Sequence, residues 1–225
     1  QALQEAFFGI EADLKWYRRR LPGGVKGGAA LRTLCSIWVR LMAPFSPFTC
    51  ESLWNDMGEK GLVSFAPWPQ PDESLIDPQI ELAEELLSRT TEDIESIEKL
   101  IQITPSAITI CIAPAWKQEV FSAIARSKEK GDAMKEIMKD EGMRRRGKET
   151  IDAVKSCITL IHRLPPHIVE KVSTEGIDEA GIFFRARDFL GQEFGIPVRI
   201  LDAAEASSYA KAASALPFKP AIIIE

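Results

Sequence analysis

The chain has 225 residues, 45% of them hydrophobic, and a formal net charge of −5 at pH 7. That length buries a sizeable core and predicts two compact units, and no apolar run approaches the ~18 residues a membrane span needs. Four scattered cysteines with no CxxC pair, and only two histidines, argue against a zinc or disulfide framework and for free buried thiols in a reducing cytosol.

Gln1 already stands inside a helical pattern and no signal peptide precedes it, so the chain is expected to be part of a larger cytoplasmic protein. Charge changes sign along it. Residues 1–40 carry seven Lys/Arg against three Asp/Glu, 41–110 three against thirteen, 111–163 twelve against eight, and 164–225 six against nine. A mildly acidic chain can bind a polyanion when its cations are gathered in patches.

Leu3, Phe7, Ile10, Leu14, Tyr17 and Leu21 recur at helical spacing and predict one amphipathic helix, stopped by Pro22 and a flexible GGVKGG connection. A second stripe runs through Leu31, Leu34, Trp38, Leu41 and Phe45. Pro44 then ends or kinks that helix, and Ser46-Pro47 reads as an N-cap with proline at the first helical position. Phe45 and Phe48 are expected to pack this corner, with Leu53 and Trp54 anchoring the restarted helix. The proline-rich FAPWPQPDESLID follows, with Trp68 expected to plug it against the bundle. A long helix then carries Ile76, Ile80, Ala83, Leu87, Thr90, Ile94, Ile97 and Ile101 on one face. Its carboxylates spread over the other faces, read as solvated surface, and should point away from phosphate. Three or four such helices make a bundle, with a boundary near Thr104-Pro105.

Beyond it the period shifts. AITICIA (107–113) alternates as a strand, helices are expected around 115–129, 132–141, 148–162 and 176–194, and PVRILDA (197–203) and AIIIE (221–225) read as further strands. The helix at 148–162 should bury Ile151, Val154, Ile158 and Ile161. The fold class expected is therefore multi-domain: a helical bundle over 1–104, then over 105–225 a small α/β domain whose short sheet is covered by helices.

The stretch MAPFSPFTCESLW (42–54), with APWP at 66–69, resembles the anticodon-binding helical bundle of class I aminoacyl-tRNA synthetases. EAFFGIEADLKWYRRR and the C-terminal half down to AIIIE resemble leucyl-tRNA synthetases of the archaeal and eukaryotic cytosolic type. The resemblance implies a tRNA-docking module in which the Pro-Phe corner is a structural joint. It also implies that the parent enzyme is a ligase using ATP and Mg. No HIGH-like, KMSKS-like or other phosphate-loop motif occurs here, so this piece should not aminoacylate alone and should hold no cofactor. Implied partners are tRNA-Leu, read at its long variable arm, and the upstream catalytic and editing domains of the same chain; no membrane partner and a monomeric state are expected. A protein-interaction module with incidental RNA contact is the alternative. The isoleucine or valine enzyme is a second one, disfavoured by the lack of a zinc-binding tail.

Against that background the cationic groups divide. Lys15 with Arg18, Arg19 and Arg20 closes the first helix, where cations complement the helix dipole, or contact phosphate; both readings stay open. Arg144, Arg145 and Arg146, with Lys148, form the densest basic run, on a loop or helix end, and arginine forks suit phosphate oxygens. Trp116, beside Lys117, is kept as a base-stacking residue, while the other tryptophans read as packing. Lys219 leads into the terminal strand. The resemblance adds Ile224 and Glu225 as groups that touch splayed-out bases at the tip of the variable arm.

Overall fold

The computed structural model describes residues 2–22, 27–101, 105–127, 130–203 and 205–225. The contacts divide the chain into two compact units, Gln1–Ile76 and Asp77–Glu225. The expected boundary at Thr104-Pro105 adjoins residues 102–104, which lie outside the described residues, as do residues 23–26 of the GGVKGG connection.

The first unit is helical. α1 (Ala2–Gln4) runs through a π-helical stretch, Glu5–Gly9, into α2 (Ile10–Arg20). α3 (Gly28–Met42) and α4 (Pro47–Asp56) meet at the Pro-Phe corner. Pro47 occupies the first position of α4 and the Ser46 carbonyl accepts from the Cys50 N–H at 3.0 Å, although the Ser46 hydroxyl makes no cap bond. The core here is small: Val39, Cys50, Trp54 and Val63, flanked by Met42, Ala43, Met57 and Ala66. Trp38 is half-buried and donates its indole N–H to the Ala6 carbonyl at 2.7 Å.

Phe45 and Phe48 do not pack the corner as expected. Phe48 is 91% exposed and Phe45 47%, and Leu53 and Trp68 are exposed too. A helix restarted at Pro47 turns residues 50 and 54 inward together, four apart, and so sends residue 48 to the opposite side. Trp54 alone of the expected anchors is buried.

The second unit opens with α5 (Pro78–Leu100), capped by the Asp77 carboxylate, which accepts from the Gln79 and Ile80 N–H groups. Its buried face is Leu82, Leu86, Leu87, Thr90, Thr91 and Ile94, whereas Ile76 and Ile80 are exposed. Lys171 of α10 (Pro166–Thr174) reaches Glu81 at 2.9 Å, and α5 also packs on α11 (Glu179–Phe194). The long helix expected in the bundle thus belongs to the compact unit that holds the sheet.

β1 (Ile108–Cys111) is the central strand and all four residues are buried. It pairs in parallel with β2 (Val198–Leu201) and antiparallel with β3 (Ala221–Ile224), in the order β2-β1-β3. Between β1 and β2 run α6 (Ala115–Arg126), α7 (Lys130–Ile137), α8 (Glu141–Arg146), α9 (Lys148–Ile161), α10 and α11. α6 packs on α9 and α10, and α11 on β2. Short 3₁₀ segments, Glu205–Ser208 and Ala210–Ser214, lead back to β3. The observed fold is thus helices followed by a small helix-covered sheet, as the sequence led us to expect.

Candidate nucleic-acid interface

The arginine run sits at a sharp corner between two helices. The Asp140 carboxylate caps α8 by accepting from the Met143 N–H at 2.9 Å, and Met143 is buried, which fixes the helix's inward face. The Met143 carbonyl accepts from the buried Thr150 hydroxyl at 2.7 Å, tying α8 to α9. Gly147, at φ +54 and ψ −109, makes the turn between them, a conformation that strains any residue with a Cβ. Arg144, Arg145, Arg146 and Lys148 are all left exposed.

These cations are not equivalent. Arg145 pairs with Glu141 at 2.5 Å, an exposed contact worth little. Arg146 lies 3.8 Å from Glu149 and places its guanidinium 4.9 Å from the centre of the Trp116 ring. Trp116 and the arginine run, 30 residues apart in sequence, therefore stand side by side.

Lys117 is different again. It is buried, and its ammonium donates to the carbonyls of Ala213 and Ala215 at 2.6 and 2.7 Å. Burial pulls its pKa below the usual lysine value, opposed by nearby Cys157 and Glu149. Burial in turn pushes the Cys157 thiol up to about 12, against the pull of Lys117. Lys117 is an internal strut between α6 and the Ala210–Ser214 segment.

In the first unit Lys15 pairs with Glu11 at 2.7 Å, Arg19 lies 5.7 Å from the Trp16 ring centre, Arg18 is exposed and Arg20 half-buried. At the other end of the chain, the Glu225 N–H donates to the Ala107 carbonyl at 3.0 Å, and the Glu225 carbonyl accepts from Ser106 and Ala107. Residues 107 and 225 thus form a hydrogen-bonded pair, and antiparallel alternation turns the N–H and C=O groups of Ile222 and Ile224 away from β1, toward the open edge of the sheet. Ile224 is half-buried and Glu225 exposed.

Two cationic groups escaped sequence reading. Arg163, after α9, and Lys211, in the 3₁₀ segment, line with Lys219 a cleft of about 530 Å³ that also reaches Ala221 and Ile222. They are 48 residues apart in sequence, and only the fold brings them together. Among the described residues no group of three or more His, Cys, Asp or Glu stands close enough to hold a metal ion, and no helix is long and apolar enough to cross a membrane.

Residues 1–112 match the family described as the anticodon-binding domain of tRNA ligase. Along its full length the chain is 37% identical to the leucine–tRNA ligase of Pyrococcus abyssi and 38% identical to those of Methanothrix thermoacetophila and Pyrococcus furiosus. It spans 22–23% of the length of these relatives. The chain thus belongs to the tRNA-ligase anticodon-binding family over residues 1–112. Over its whole length it is a homologue of leucine–tRNA ligases.

Proposed function

We propose that this chain is the tRNA-binding part of a leucine–tRNA ligase, holding tRNA-Leu so that a catalytic domain elsewhere in the parent enzyme attaches leucine with ATP and Mg. The full-length similarity to leucine–tRNA ligases carries this reading. No residue here has a role toward ATP or Mg. The parent acts as a cytoplasmic monomer in which residues 1–104 dock the tRNA body, and residues 105–225 read the long variable arm.

Within that reading Arg144, Arg145, Arg146 and Lys148 contact phosphates, with Lys15, Arg18, Arg19 and Arg20 as a second basic group and Lys219 beside the terminal strand. Exposure of the α8–α9 corner supports the first group. The outward backbone of Ile224, next to Glu225, offers donors and acceptors to an unpaired base. Trp116 and Lys117 shape the neighbouring surface, Lys117 from within.

A second reading rests on the first unit's surface. Phe8, Phe48 and Phe65 are large, apolar and exposed. Such groups suit contact with the parent's catalytic and editing domains, and an interaction module would need no more.

The experiment measures binding of the 225-residue chain to two tRNA-Leu transcripts, one with its variable arm trimmed, across a salt series. The expected result is a log–log slope near −0.9 per phosphate contact on duplex and about −0.7 on single strands, with weaker binding of the trimmed transcript. Equal binding of both refutes arm reading. A flat salt dependence, or no preference over heparin, favours the interaction module.

A further inference from the structure

The carboxyl ends of β1 and β2 open onto a cleft of about 520 Å³ that reaches Ile112, Pro114 and Ala203. Crevices at the carboxyl ends of parallel strands are where α/β folds bind ligands. The lining of this one is largely small and apolar, with Ala153, Ala206 and Ala212 among it, while Trp116, Asp152 and Tyr209 stand on it as larger groups. Two half-buried aromatic rings and a low apolar lining suit a flat heterocycle.

The polar groups sharpen the choice. Asp152, exposed on α9, and the Tyr209 hydroxyl make no hydrogen bond or ion pair with another described residue. Glu149, also lining the cleft, is the carboxylate that leans toward Arg146. Asp152 is thus an acceptor with no partner among the described residues, exposed on the lining of an aromatic cleft. A carboxylate accepts two adjacent N–H donors, and among the bases only guanine offers that pair on its Watson–Crick edge, from N1 and N2. Adenine and cytosine set a ring-nitrogen acceptor beside their amino group. Uracil flanks its one donor with two carbonyls, and each of these would repel the second oxygen. The Trp116 ring is braced by the Arg146 guanidinium, which stands ready for the phosphate attached to such a base. Lys117, whose ammonium lies 5.7 Å from the centre of the Trp116 ring, fixes the adjoining wall by holding the carbonyls of Ala213 and Ala215.

We propose that this cleft receives one unpaired guanine of the bound RNA, stacked against Trp116 and Tyr209 and read by Asp152. The proposal rests on the tRNA-binding reading above but concerns a surface at the opposite end of β1 from Ile224 and Glu225.

The test has two arms. In the first, the Trp116 indole N–H signal of the nitrogen-15-labelled chain, assigned with Trp116→Phe, is followed during titration with guanosine 5′-monophosphate and, separately, adenosine 5′-monophosphate. Guanosine monophosphate should shift it, adenosine monophosphate should bind about tenfold more weakly, and Asp152→Asn should erase that preference. In the second, Asp152→Asn and Tyr209→Ala should each weaken binding to intact tRNA-Leu by about tenfold, with the salt slope unchanged. Wild-type tRNA affinity in both variants, together with an unmoved indole signal, overturns the cleft and leaves the tRNA reading standing. Failure of the wild-type chain to bind any tRNA overturns both.

Discussion

Glu179 should make the second unit less stable as pH rises, and Glu179→Gln should remove that dependence. Glu179 is the first residue of α11 and only 6% exposed. One carboxylate oxygen accepts the Phe218 N–H at 2.7 Å, and the other is buried without a partner. Burial pushes the carboxyl up from 4.5 to about 7, with the Phe218 N–H pulling the other way. The folded state therefore holds the proton more tightly than the unfolded chain does. The stabilisation is fully present below pH 4.5 and is lost as pH rises through 7. At 1.36 kcal/mol per pH unit, that interval is worth about 3 kcal/mol. Glutamine keeps an acceptor for Phe218 but introduces an NH₂ group where no partner waits, a cost of ~1–3 kcal/mol at every pH. The readout is thus the difference between wild type and variant, measured by urea unfolding at pH 5 and pH 8 through the amide signals of β1 and β3. The variant should gain about 2–3 kcal/mol on wild type between those two values, because part of the loss already lies below pH 5. Parallel profiles would refute the reasoning, because they would mean that Glu179 titrates alike in the folded and unfolded chain.

Replacing Lys117 with Met leaves the carbonyls of Ala213 and Ala215 without their donor; we expect a loss of about 2–3 kcal/mol and faster amide exchange through residues 212–216. Trp54→Ala empties the middle of the small first-unit core and should cost about 3–5 kcal/mol, read as a lowered urea midpoint for that unit. Phe48→Ala, on the same helix but facing solvent, should change that midpoint by no more than about 0.5 kcal/mol. A large effect at Phe48 would restore the packed corner that the sequence suggests.

Periodicity exposed the helices and the switch to strands near residue 107, because spacing depends on the chain alone. It was weaker on which face is buried. In α9 the pattern favours Ile151, Val154, Ile158 and Ile161; Val154 is buried, but its buried companions are Thr150, Ala153, Cys157 and Leu160. Helices that pack closely, as α9 does on α6, bring small side chains to the contact and leave bulky ones at its margins. The short helices α8 and α10 went unread because six and nine residues hold too little period to detect. The basic corner was legible from density alone, since Arg144 to Lys148 are neighbours in sequence. The cleft proposed for guanine was not, because it is assembled from residues 116, 152 and 209, the first two joined by the packing of α6 on α9 and the third brought in after β2 returns in parallel beside β1.

β1 also links the two surfaces proposed to meet RNA. Its carboxyl end opens on the cleft and its amino end pairs with the last residues of the chain, with Ile108 opposite Ile224 and Cys111 opposite Ala221. Side chains alternate along a strand, so a slip of one residue in this register would turn β3 over and bring the backbone of Ile222 and Ile224 from the open edge to the β1 side. The register is fixed by the turn that launches β3. Leu216 and Lys219 exchange two backbone bonds at 2.9 Å, and Phe218 takes a left-handed φ of +62 that non-glycine residues seldom adopt. The Phe218 side chain is buried and its N–H is the one that Glu179 accepts, so packing and a hydrogen bond from α11 together offset the backbone strain. What the terminal strand would present to a ligand therefore depends on α11 as well as on β1, through a buried carboxyl group. Changes there alter the terminal contact by moving it and leave the charges of the α8–α9 corner untouched.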